Sequence, residues 1–169
     1  MKATIITEDT QTTAETSQDI KVKDYFKGSF LAVRSLEEEL SSFCDTKIVV
    51  YSEDYGCLRG DDLMEDSGNQ GTSNQLLVQE INDSDVVVIL LSTDVFEEVV
   101  ADRWSDLTDS VQSEDVWCLG VSQGALNSID VDVLEETECN VIIYRKVGVA
   151  RISNEVRDQL LSAVESKCG

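Results

Sequence analysis

The chain has 169 residues, 41% of them apolar, which suits one domain with a full hydrophobic core and excludes a disordered chain. Thirty-four acidic side chains against thirteen basic ones give a formal charge of −21, and no Lys/Arg cluster exists that could neutralise several phosphates, so direct nucleic-acid binding is excluded. Histidine is absent, which removes Ser-His-Asp triads, Cys-His dyads and imidazole metal ligands.

The acidic surplus is spread along the chain and must coat the folded surface. Such a surface repels itself until salt screens it, and at molar salt the Debye length falls to roughly 3 Å. The expected setting is therefore the cytoplasm of an extreme halophile. A DNA mimic would need carboxylates in ordered rows, and these are scattered. The five cysteines, Cys44, Cys57, Cys118, Cys139 and Cys168, form no C-x-x-C pair, so a zinc ribbon or redox dithiol is not expected. The N-terminus lacks a basic-then-apolar signal, and the longest aliphatic run, Val86 to Leu91, is far too short to span a membrane.

In chain order, Ala3–Thr7 is a β-branched run and predicts the first strand. The polar stretch from Glu8 to Asp19 predicts a loop. Phe30, Leu31, Val33, Leu36, Leu40 and Phe43 recur at helical spacing, with Gly28 before the helix and Ser29 as its N-cap. Lys47–Ser52 predicts a second strand, and Glu53–Thr72, rich in Gly, Asp and Asn, predicts a long loop. Leu76, Leu77 and Ile81 mark a short helix. Asp85–Ser92 predicts the central strand, and Phe96 to Leu107 one amphipathic helix. Asp115–Val121 and Asn140–Tyr144 predict two further strands, each followed by helical segments, the last beginning near Ser153 or Asn154. Near-continuous aliphatic strands alternating with helices predict a single α/β domain over residues 1–169. It would be a three-layer α/β/α sandwich on a mostly parallel, Rossmann-like sheet of about five strands.

In such a sheet, ligands bind where the strands end at their carboxyl edge. The predicted edge loops are Glu8–Gln11, Glu53–Arg59, Ser92–Asp94, Gly120–Gly124 and Arg145–Gly148. Gly120-Val121-Ser122-Gln123-Gly124 matches the G-x-S-x-G nucleophile elbow. No histidine can serve as base, and Lys146 would stay charged on so acidic a surface, so Ser122 is expected to cap a helix instead. Gly120 and Gly124 would then let strand and helix approach closely, and the helix start would offer an anion site. In Tyr51–Asp62, Ser52 and Gly56 leave a strand end and Tyr55 either stacks on a planar ligand or packs over the sheet edge. Asp61, Asp62, Glu65 and Asp66 lack EF-hand spacing and are expected to form a solvated face rather than a divalent-metal site.

Asp24-Tyr-Phe-Lys-Gly-Ser-Phe30 and Ile48-Val-Val-Tyr-Ser-Glu-Asp-Tyr-Gly-Cys-Leu58 resemble an α/β family of unknown function, haloarchaeal in type and similar to the YaaA-type peroxide-stress proteins. The matching positions are Tyr25, Gly28, Ser29, Ser52, Tyr55 and Gly56. Where that family has a Cys-Ser-x-x-Lys-like turn after its first strand, this chain has Thr7-Glu8-Asp9-Thr10-Gln11. The second half is loosely similar to one lobe of uroporphyrinogen-III synthases, with Ser92-Thr93 and Leu119-Gly120 in comparable places.

The expected function is non-catalytic or weakly catalytic binding of a small anionic or nucleotide-like ligand. Its site would draw on Tyr25, Gly28, Ser29, Ser52, Tyr55, Gly56, Ser92, Gly120, Ser122 and Gly124. The sequence names no cofactor and leaves a homodimer open. The alternatives are an interaction or structural subunit without a small ligand, and a histidine-free enzyme acting on nucleosides or nucleobases, or a single-lobe uroporphyrinogen-III synthase relative.

Overall fold

The computed structural model describes residues 1–69, 75–145 and 152–168. Its centre is a six-stranded sheet in the order β3-β2-β1-β4-β5-β6. The strands are β1 (Lys2–Glu8), β2 (Asp45–Ser52), β3 (Gly56–Arg59), β4 (Val86–Leu90), β5 (Val116–Val121) and β6 (Asn140–Arg145). All neighbours run parallel except β3, which returns antiparallel along β2 from Ser52↔Gly56 to Val49↔Arg59.

Burial on both faces explains why the central strands are aliphatic without alternation. Every residue of β4 is buried, and its side chains divide by parity. Val86, Val88 and Leu90 join the core beneath α1 (Val22–Tyr25), α2 (Phe30–Leu40) and α8 (Asn154–Cys168). Val87 and Ile89, with the following Leu91, join the core on the other face. That second face is covered by α3 (Gln75–Asn82), α4 (Thr93–Val99), α5 (Trp104–Thr108), α6 (Gln123–Asn127) and α7 (Asp132–Glu136). The expected three-layer α/β/α sandwich is therefore present, with one strand more than the sequence predicted.

Three expectations need correction. The segment predicted as a loop from Glu53 holds β3 and a 3-10 turn over Met64–Asn69, because Leu58 and Met64 are buried in an otherwise polar run; its end at Gln70–Thr72 lies outside the described residues. The single helix expected from Phe96 to Leu107 is three pieces: α4, a 3-10 turn at Ala101–Arg103, and α5. The break is stabilised locally, since Arg103 Nη1 donates to the Glu98 and Val99 carbonyls, both at 3.2 Å, which α4 leaves open at its C-terminus. Ser29 stands before α2 but does not cap it with its side chain. Its backbone is already helical, and the turn closes through Phe30 N to Lys27 O and Leu31 N to Gly28 O at 3.3 and 3.1 Å.

Among the described residues, no helix is long and apolar enough to cross a membrane. No group of three or more His, Cys, Asp or Glu among them is placed to hold a metal ion.

Candidate functional site

In an open parallel sheet, neighbouring chain connections diverge where the strand order reverses, leaving a crevice at the carboxyl ends. Here that point lies between β1 and β4: the chain leaves β1 for α2 on one face, and leaves β4 for α4 on the other. Three connections border it, the residues after Glu8, the turn from Ser52 to Gly56, and Leu91-Ser92-Thr93.

The crevice is lined by negative charge. Glu8 ends β1, and its carboxylate accepts the backbone N–H of Ser92, the residue that precedes α4. The position at a helix start that would attract an anion therefore already holds one from the chain itself, and Asp94 adds a second in the first turn. Asp9 follows. Its carboxyl is pushed above the usual range by burial and by repulsion from Asp54, Glu8 and Glu53, against the lowering effect of a hydrogen bond with Ser52.

Ser52 is fully buried, and its oxygen also accepts the Tyr55 N–H at 3.3 Å. It is thus the pin of a hairpin turn that Gly56 closes at φ 79°, a conformation suited to glycine. Tyr55, at the tip of the turn, is 37% exposed. On the other flank, Thr10 Oγ1 donates to the carbonyls of Thr12 and Lys27 at 3.0 and 2.9 Å, tying the loop after β1 to the entrance of α2. Gly28, at φ 67°, stands beside Thr12 there, while Tyr25 packs edge-on against Phe26 at 5.2 Å and is partly buried.

The nucleophile-elbow match has a structural explanation. Ser122 Oγ accepts the Ala125 N–H at 3.1 Å and lies 2.5 Å from Thr93 Oγ1, so both its neighbours are contacts within the fold. It caps α6 and links that helix to α4. Gly120 is required by packing: it sits opposite Tyr144 on β6, and a Cβ there would fall 2.5 Å from Tyr144 Cζ and 2.9 Å from Leu90 Cδ2. Gly124 differs from the expectation. A Cβ there would meet Thr93 Cγ2 at an ordinary 3.6 Å, so close approach does not demand glycine. Lys146 and the rest of the loop to Gly148 lie outside the described residues.

The structure places Ser52, Tyr55 and Gly56 at the β2–β3 turn, Ser92 after β4, Tyr25, Gly28 and Ser29 before α2, and Gly120, Ser122 and Gly124 at the β5 end. Sequence reasoning placed Glu8, Asp9 and Thr93 in edge loops without naming them among the candidate site residues. Their signal was an acidic pair directly at the end of the first strand, facing a Ser-Thr turn.

With β3 set aside, the parallel strands run in the doubly wound order of flavodoxin-like folds. The chain is similar to several solved structures over most of its length. A flavodoxin-like domain from Synechococcus matches with 10% identity over 98% of this chain and 95% of its own, at a TM-score of 0.44. A flavodoxin from Streptococcus pneumoniae matches with 10% identity over 98% and 96%, at 0.46. A diflavin flavoprotein from Nostoc matches with 8% identity over 98% and 90%, at 0.47. These likenesses concern the fold alone. No family model and no curated protein matches the chain. The flavodoxin-type neighbours overturn the resemblance to YaaA-type proteins. The residues that carried it form a helix entrance and a hairpin pin, local devices that a different fold uses equally well.

The residues present at this switch point do not suit a ligand phosphate. Glu8 occupies the Ser92 N–H, and the first N–H groups of α2 are spent on the carbonyls of Lys27, Gly28 and Ser29.

Proposed function

We propose that the chain binds a small planar ligand without a phosphate, a free heteroaromatic ring or a nucleoside, in the crevice between the ends of β1 and β4. Glu8 on the Ser92 N–H carries this reading, because it fills with the chain's own carboxylate the place a ligand phosphate would take. Asp9, Glu53 and Asp54 surround the same edge and oppose an anion further. Tyr55 supplies an exposed aromatic face for stacking, and Ser92, on the β4 side, an exposed hydroxyl. The charge narrows the expected anionic or nucleotide-like ligand to its neutral or cationic counterpart. The histidine-free site and the engaged Ser122 hydroxyl favour binding over catalysis.

Thermal melts in molar KCl test this with paired compounds: riboflavin against flavin mononucleotide, and adenosine against its monophosphate. A ligand that binds only the folded state raises the melting temperature by linkage. The phosphate-free member of at least one pair should raise it and its phosphate should not. Equal or larger shifts with the phosphates would refute the charge argument. No shift with any compound would refute the small-ligand reading.

A further inference from the structure

The five cysteines occupy very different surroundings. Cys118 and Cys139 are buried, and burial pushes each thiol up to about 12, which keeps them protonated and inert. Cys57 is part of the packing around the second core. Cys168 is exposed in the last turn of α8, and Cys44 is half-buried between α2 and β2. These two are far apart in sequence and adjacent in space: Cys168 Sγ donates to the carbonyl oxygen of Phe43 at 3.4 Å, and that carbonyl is bonded to the nitrogen of Cys44. Cys44 Sγ points back to the Leu40 carbonyl at 3.4 Å, on the same junction. The two segments are held together independently, since Arg157 of α8 bonds Glu39 of α2 at 2.9 Å and both helices share one core.

We propose that Cys44 and Cys168 are an oxidative cross-linking site, at which a low-molecular-weight disulfide converts the two thiols into an intramolecular disulfide that staples α8 to the α2–β2 junction. The exposed Cys168 thiolate attacks one sulfur of the small disulfide, forming a mixed disulfide and releasing one small thiolate. The Cys44 thiolate then attacks the Cys168 sulfur, and the second small thiolate leaves. Two protein thiols are oxidised, one small disulfide is reduced to two thiols, and the two protein protons pass to the leaving groups. Burial raises the Cys44 thiol, against the lowering effect of a hydrogen bond with Thr46, so the second step quickens as pH rises.

The test is incubation of the reduced full chain with oxidised glutathione at mildly alkaline pH, followed by non-reducing peptide mapping and thermal melting. The expected product is a monomer with Cys44 linked to Cys168, two fewer free thiols, and a melting temperature higher by roughly 10 °C, because the cross-link closes most of the chain into a loop. Cys44→Ser should retain glutathione on Cys168 and show no such rise, and Cys168→Ser should also fail to rise. Wild-type chain that keeps glutathione on Cys168 while Cys44 stays open to alkylation would overturn the proposal. So would a disulfide-linked dimer, or a cross-link with no change in melting. If either variant does not fold, the wild-type map decides alone.

Discussion

Gly120→Ala isolates a steric effect from a backbone one. Gly120 is not among the positive-φ glycines, Gly28 and Gly56, so alanine is compatible with its conformation, and restricting the unfolded chain should gain about 0.4–1 kcal/mol. Against this, the new methyl would fall on the Tyr144 ring and hydroxyl and within 2.9 Å of Leu90 Cδ2, three atoms in a packed layer. Overpacking of this kind costs about 1–3 kcal/mol. The net loss should be about 1–2 kcal/mol, or a fall in melting temperature of roughly 2–8 °C at this chain length. In a Tyr144→Ala background the ring is gone, and the same substitution should be neutral or slightly stabilising. Urea unfolding of the four proteins gives the coupling directly, expected at about 1.5–3 kcal/mol. An equal cost of Gly120→Ala in both backgrounds would refute the claim that Tyr144 is what demands glycine.

Tyr144→Phe should stabilise by about 1 kcal/mol, read from the same urea midpoints, because the phenol oxygen is buried without a hydrogen-bond partner among the described residues. Ser122→Ala should cost about 1 kcal/mol through loss of the α6 cap, a shift in urea midpoint that an exposed serine would not give. Asp9→Asn should raise the melting temperature at neutral pH. The Asp9 carboxyl is raised in the folded state, so its stabilising contribution is full below the unfolded value near 3.8 and is lost as pH rises through the folded one. The advantage of Asn should therefore vanish in melts below that value. Wild-type melts should rise from 0.1 M to molar KCl as the Debye length shortens from about 10 Å to about 3 Å, because a formal charge of −21 is being screened. Indifference to salt would count against a halophilic adaptation.

The five parallel strands were legible because each is a near-continuous aliphatic run, and burial on both faces leaves that pattern and no other. β3 was not, since four residues pairing along one edge of β2 carry too little apolar periodicity to stand out. The break between α4 and α5 escaped because Phe96, Val99, Val100, Trp104 and Leu107 all face the same core, so the spacing reads as one helix across a 3-10 turn. At the site, positive φ at Gly56 and capping by Ser122 follow from local chemistry and were readable. Two other features are contacts between distant segments that no local pattern announces: Glu8 on the Ser92 N–H, and Tyr144 across Gly120.

Calorimetric titration of wild type and Glu8→Gln with riboflavin and with flavin mononucleotide, in the same molar KCl buffer, tests the charge-selected crevice most directly. Tighter binding of riboflavin by wild type, with the gap narrowing in Glu8→Gln, is the result expected from a carboxylate that holds the place of a phosphate. Tighter binding of the mononucleotide by wild type, or a gap that Glu8→Gln leaves unchanged, would contradict it.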